Sequence, residues 1–122
     1  MNNKGHLWTL EGSPEMAKLA KSTYADLGLA ERVTLTVGPF RQTLSPTLVD
    51  KAVDLAFIDG HHEGPATLRY FEVIKPRLSK GSFVFFDDID WPSMVPAWET
   101  LQSDPIFQVT ARTKGKGFAV VR

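Results

Sequence analysis

The chain has 122 residues, 14 Lys plus Arg against 14 Asp plus Glu, and no Cys. That length holds one domain of ordinary size, and the missing Cys excludes a disulfide scaffold, thiolate zinc sites and thiol catalysis. Neutral charge argues against nucleic acid as a partner, no apolar run approaches the length of a membrane span, and the absence of Cys fits a reducing cytoplasm.

Short apolar runs alternate with helical patterns. His6-Leu7-Trp8-Thr9-Leu10-Glu11 reads as a strand ending on a carboxylate. Ser13, Pro14 and Glu15 then supply an N-cap, a first-turn proline and an acid at the positive end of a helix dipole. Met16, Leu19, Ala20, Tyr24 and Leu27 recur at helical spacing, and Gly28 provides the stop. Residues 33–38 read as a second strand, and residues 40–50 as a short amphipathic segment broken at Pro46. Residues 52–59 form a third, nearly all-apolar strand that ends on Asp59. A helix is expected from Pro65 to Leu78, with Leu68, Phe71, Ile74 and Leu78 on one face. Ser82-Phe83-Val84-Phe85-Phe86-Asp87 is a fourth strand, followed by a short helix from Val95 to Gln102. Residues 106–111 and 118–121 are two strands joined by a link short enough to force an antiparallel pair.

Strand–helix alternation with doubly apolar strands predicts an α/β fold, a mostly parallel sheet covered by helices. Right-handed crossovers place the strand ends on one rim, the usual ligand edge of such sheets. Glu11, Gly38, Asp59 and the pair Asp87-Asp88 fall there. Glu11 suits either bidentate recognition of ribose hydroxyls or a helix N-terminus. In Asp59-Gly60-His61-His62-Glu63, Asp59 and the two His could ligate a metal, or one His could act as a general base. Asp87, Asp88 and Asp90 repel one another, and with Asp59 they could form an oxygen-rich site for Mg²⁺; the alternative is that Asp87 alone faces the rim. Trp91 could wall a flat ligand, Trp98 reads as core, and Phe40 suits base stacking or core packing equally. Arg112, Lys114, Lys116 and Arg122 make the last eleven residues purely basic, as a solvated hairpin tip or a contact for an anion.

Trp8-Thr9-Leu10-Glu11-Gly12-Ser13-Pro14-Glu15, Arg32-Val33-Thr34-Leu35 with Gly38, Asp54-Leu55-Ala56-Phe57-Ile58-Asp59-Gly60-His61, and Phe86-Asp87-Asp88 after Gly81 resemble class I S-adenosylmethionine-dependent methyltransferases, in their small O-methyltransferase-like branch. The resemblance covers nearly the whole chain. It implies a Rossmann-like sheet with a reversed strand at the end and S-adenosylmethionine as the methyl donor. Glu11 would bind the donor's ribose and Gly38-Pro39-Phe40 its adenine side; Asp59 would lie near the methionine moiety or a metal. Asp59, Asp87 and Asp88 match positions that hold a cation in cation-dependent members, and Asp59, His61 and His62 are the candidates for catalysis. A metal that chelates a catechol-like diol lowers the acceptor's pKa, and a His base is the alternative.

The resemblance also implies a strand and Gly-rich loop before His6, for which only five residues stand here. That strand would lie between those ending at Glu11 and Asp59. Without it the sheet must close, borrow a strand or be part of a larger whole. Self-association, or a partner chain that completes the sheet, is therefore expected. Two functions follow: methyl transfer to a small-molecule acceptor, or a non-catalytic methyltransferase-like domain that works by association.

Overall fold

The computed structural model describes residues 5–59 and 62–122, so His61 and Gly60 lie outside the described residues. The fold is α/β, and its contacts group into two compact units, Met1–Val49 and Asp50–Arg122.

In the first unit, β1 (Leu7–Glu11) runs parallel to β2 (Val33–Val37), in register from Leu7 opposite Val33 to Glu11 opposite Val37. They are connected by α1 (Pro14–Asp26) and a 3₁₀ turn, Ala30–Arg32. The helix starts where the sequence places it. Ser13 Oγ accepts the Met16 N–H at 3.3 Å, Pro14 occupies the first turn, and Gly28 ends the run with φ of 69°. Helix α2 (Phe40–Leu48) runs through Pro46 instead of breaking there. The proline lies in the last turn, where it removes one ladder bond, and Thr47 Oγ1 donates to the Thr43 carbonyl at 2.7 Å. The apolar stripe expected on α1 is not buried: Met16, Leu19 and Leu27 are more than half exposed. Ala17 is the only buried hydrophobic residue of this unit among the described residues, because a sheet of two strands offers a helix little surface.

The second unit holds β3 (Val53–Ile58), α3 (Gly64–Ile74), a 3₁₀ turn over Lys75–Arg77, β4 (Leu78–Asp87), α4 (Val95–Gln102), β5 (Phe107–Thr113) and β6 (Lys116–Val121). Pro76 ends α3 earlier than its apolar spacing suggests, and Leu78 opens β4. The sheet order is β3-β4-β6-β5, with β3 and β4 parallel and β6 antiparallel to both its neighbours. Among the described residues the strands form two sheets, where the alternation pattern suggests one.

Period-2 alternation sends Ala56, Ile58, Val84, Phe86, Ala119 and Val121 to a buried face under α3 and α4. Phe71 lies 5.8 Å from Phe86 and 5.4 Å from Phe107 between ring centroids, so α3 is locked onto β4 and β5. Trp98 is core, as read from the sequence, 5.9 Å from Phe86 and flat against Gly117, where a Cβ would stand 2.5 Å from the indole. The opposite face is not covered as the doubly apolar strands predicted: Leu55, Phe57 and Phe83 are at least half exposed, because both long helices of this unit pack on the same side. No helix among the described residues is long and apolar enough to cross a membrane.

Candidate functional site

The parallel register of the first unit sets Glu11 beside the turn after β2, and the Gly38 N–H donates to the Glu11 carbonyl at 3.0 Å. Gly38 takes φ of 146° and lies so near Thr43 Cγ2 that a Cβ would stand 3.0 Å away, so the turn requires glycine. Pro39 caps α2 and its carbonyl accepts from Gln42 and Thr43; Phe40 opens the helix, half-buried. Glu11 is half-buried, and its Oε1 accepts the Ser13 N–H at 2.9 Å. One carboxylate oxygen therefore holds the entry to α1, and the other can be offered to a ligand.

In the second unit, the parallel pairing of Ile58 with Phe86 brings Asp59 and the pair Asp87-Asp88 to the same strand edge. Asp59, His62 and Asp88 each place one ligand atom within 4.8 Å of the others. His62 Nδ1 is 2.5 Å from Asp88 Oδ2. The imidazole stacks on Trp91 with 4.6 Å between centroids, and Ser93 Oγ donates to the His62 carbonyl at 2.7 Å. Asp87 is engaged differently. The antiparallel register sets it opposite Lys116, whose Nζ donates to its Oδ1, and the Asp88 N–H donates to the same oxygen at 2.8 Å.

Charge follows from this arrangement. Partial burial, then the negative charge of Asp87, hold the Asp59 carboxyl above the usual carboxylate range, with Asp88 adding and His62 opposing. Burial also works against ionisation of Asp87, but the Lys116 hydrogen bond, the Asp88 N–H and the Lys116 charge bring it below that range. Lys116 is raised chiefly by its hydrogen bond to Asp87. Asp90 binds both the Arg112 guanidinium and the Gly115 N–H, at 2.7 Å for the latter, so the basic hairpin is fastened to the loop after β4.

The structure thus groups Asp59, His62 and Asp88, and separately Glu11 with Gly38, Pro39 and Phe40; Asp87 is joined to Lys116. The sequence reading names Lys116 only as part of the basic terminal run and does not single out Ser93. The hairpin sets Lys116 opposite Thr113, whereas its meeting with Asp87 comes from the register of β6 against β4, which no local pattern announces.

Residues 1–89 match the family model described as Methyltransferase domain. A catechol O-methyltransferase of Mycobacterium tuberculosis is 33% identical over 86 residues, which are 70% of this chain and 38% of that protein. The crystal structure of cofactor-bound Rv0187 from MTB superposes with a TM-score of 0.78 at 28% identity, over 99% of this chain and 63% of that one. An O-methyltransferase from Bacillus cereus, solved in complex with SAH, shares the fold with a TM-score of 0.80 at 24% identity, over 100% of this chain and 65% of that one. The chain therefore spans 38% of the length of the mycobacterial relative and less than two thirds of either structure.

Proposed function

Because the chain belongs to the methyltransferase-domain family, we propose that it serves methyl transfer from S-adenosylmethionine to a hydroxyl oxygen of a small molecule. The observation that carries this reading is the meeting of Asp59, His62 and Asp88 where two parallel strands end. The donor, when bound, supplies a methyl group already activated on sulfonium sulfur, so the protein's work is alignment and removal of the acceptor proton. Glu11 takes the ribose hydroxyls through its available oxygen, and the Gly38-Pro39-Phe40 turn borders the adenine. Asp59, His62 and Asp88 fit a divalent cation in number and spacing of donors, and such an ion lowers the pKa of a bound hydroxyl. A catechol, the acceptor named for the mycobacterial relative, offers two adjacent oxygens for chelation.

A second reading is favoured by the 2.5 Å approach of Asp88 to His62 Nδ1. The carboxylate would hold the imidazole with Nε2 available, making His62 a general base without a metal. His61 stays a candidate base on sequence grounds alone.

Incubation with methyl-labelled S-adenosylmethionine and catechol, with and without added divalent cation, tests the proposal. The expected product is a labelled methyl ether whose formation falls at least about a hundredfold in Asp59→Asn. Unlabelled catechol under all conditions would overturn it in favour of the non-catalytic, associating domain.

A further inference from the structure

Register and alternation set two apolar ranks on one face of the second unit's sheet. Leu55, Phe83, Val120 and Val109 lie side by side across β3, β4, β6 and β5. Phe57, Phe85, Phe118 and Ala111 form the next rank. This face is open to solvent: Leu55 is 62% exposed, Phe57 60%, Phe83 50% and Val109 54%. Phe85 and Phe118 meet edge to face at 5.0 Å and give the two ranks a fixed centre. Neither rank contains an ionisable side chain. Asp87 and Lys116, the next pair in the register of β4 and β6, border one end with an ion pair, as polar rims border the cores of interfaces.

At about 200 Å² for a whole Phe side chain and rather less for Leu and Val, the four open residues alone expose roughly 400 Å². Their half-covered neighbours bring the patch towards about 600 Å², the upper end of what a monomer shows. Two such faces brought together bury about 1,000 Å², which meets the lower bound for a specific interface and falls short of the roughly 1,600 Å² of standard size.

The chain also suits itself as the occupant. Its 14 basic and 14 acidic residues leave no net charge to hold copies apart. Side chains diminish across the sheet, from Leu55 and Phe57 on β3 to Val109 and Ala111 on β5. A two-fold axis lying along the strands, between two copies, sets bulky residues over small ones.

We propose that a second copy of this chain docks face to face on these two ranks, with the sheets about 10 Å apart and β3 of each copy over β5 of its partner. The contact differs from pairing along strand edges, and it stands whether or not the chain transfers methyl groups.

Sedimentation equilibrium of the parent, Phe83→Lys and Val109→Lys tests it, with circular dichroism of each to establish folding. The parent is expected to be half dimeric at roughly 10–100 µM, the strength such an area supports, and each folded variant to dimerise at least about tenfold more weakly. Since the chain has no Cys, Leu55→Cys and Val109→Cys can be mixed and treated with a bismaleimide spanning about 10 Å. Crosslinks between the two variants are expected to outnumber those of either with itself, and they decide the matter if neither lysine variant folds. A parent that stays monomeric throughout this range overturns the proposal, and one that also co-floats with phosphatidylcholine vesicles assigns the face to lipid instead. Dimerisation unchanged in the folded lysine variants, or Leu55→Cys crosslinking chiefly to itself as pairing of β3 edges would give, overturns it as well.

Discussion

Ion pairs in this chain divide by what surrounds them. Lys75 Nζ donates to Asp104 Oδ2 at 2.6 Å, and Asp104 Oδ1 accepts the Ile106 N–H at 2.9 Å. Burial opposes ionisation of Asp104, yet these bonds and the Lys75 charge leave it below the usual carboxylate range, while Lys75 is raised chiefly by the same hydrogen bond. The lowered Asp104 contributes stability above the unfolded carboxylate value of about 3.9, lost as pH falls through the folded value. The raised Lys75 contributes below the unfolded value of about 10.4, lost as pH rises through its folded value. Asp104→Asn is therefore expected to cost about 1 kcal/mol at pH 7 in urea unfolding. The cost should shrink towards zero in acid, and an undiminished cost there would show that the ion pair is not its source. At Asp59, Asp87 and Asp88 the sequence made the density of charge plain. It did not reveal that a lysine 29 residues after Asp87 would take one of the three, because that depends on sheet register and not on local pattern.

Elements were legible where side chains act locally. The Ser13-Pro14 start of α1, the apolar β3 and the terminal hairpin all follow from caps, period and link length. Boundaries moved where one residue outweighed the pattern: Pro76 cut α3 short, while Pro46, placed late in α2, did not cut it. Packing between elements was less visible. Trp98 of α4 lies against the backbone of β6 at Gly117, which no spacing in the sequence announces. Gly117→Ala would press a Cβ to 2.5 Å from the indole and is expected to cost about 1–3 kcal/mol. Gly12→Ala, which meets nothing within 4 Å, is the control. Equal thermal midpoints for the two variants would refute this packing.

Across the whole molecule, the two units are built to different depths. Residues 50–122 bury Phe71, Phe86, Met94, Trp98 and Leu101, whereas among the described residues 5–49 Ala17 alone is a buried hydrophobic. Amides of β1 and β2 are therefore expected to exchange hydrogen well before those of β3, β4 and β6; uniform protection would contradict this ranking. Among the described residues, both sheets end on strands paired along one side only, β1 in one and β3 in the other. Concentration-dependent self-association in sedimentation is expected from those edges, and a strictly monomeric chain at high concentration would argue against it. The sequence revealed the alternation of strand and helix and the carboxylates that end the strands. It could not reveal that α3 and α4 would leave Leu55, Phe57 and Phe83 exposed, because an apolar residue carries no label for the element that covers it.

The central proposal is that this chain holds S-adenosylmethionine, with Glu11 on the ribose. Calorimetric titration of S-adenosylmethionine into the parent chain and Glu11→Ala tests it most directly. Saturable binding is expected, weakened about ten- to a hundredfold by the substitution as the ribose hydrogen bonds are lost. No binding to the parent, or equal affinity in both chains, would contradict it.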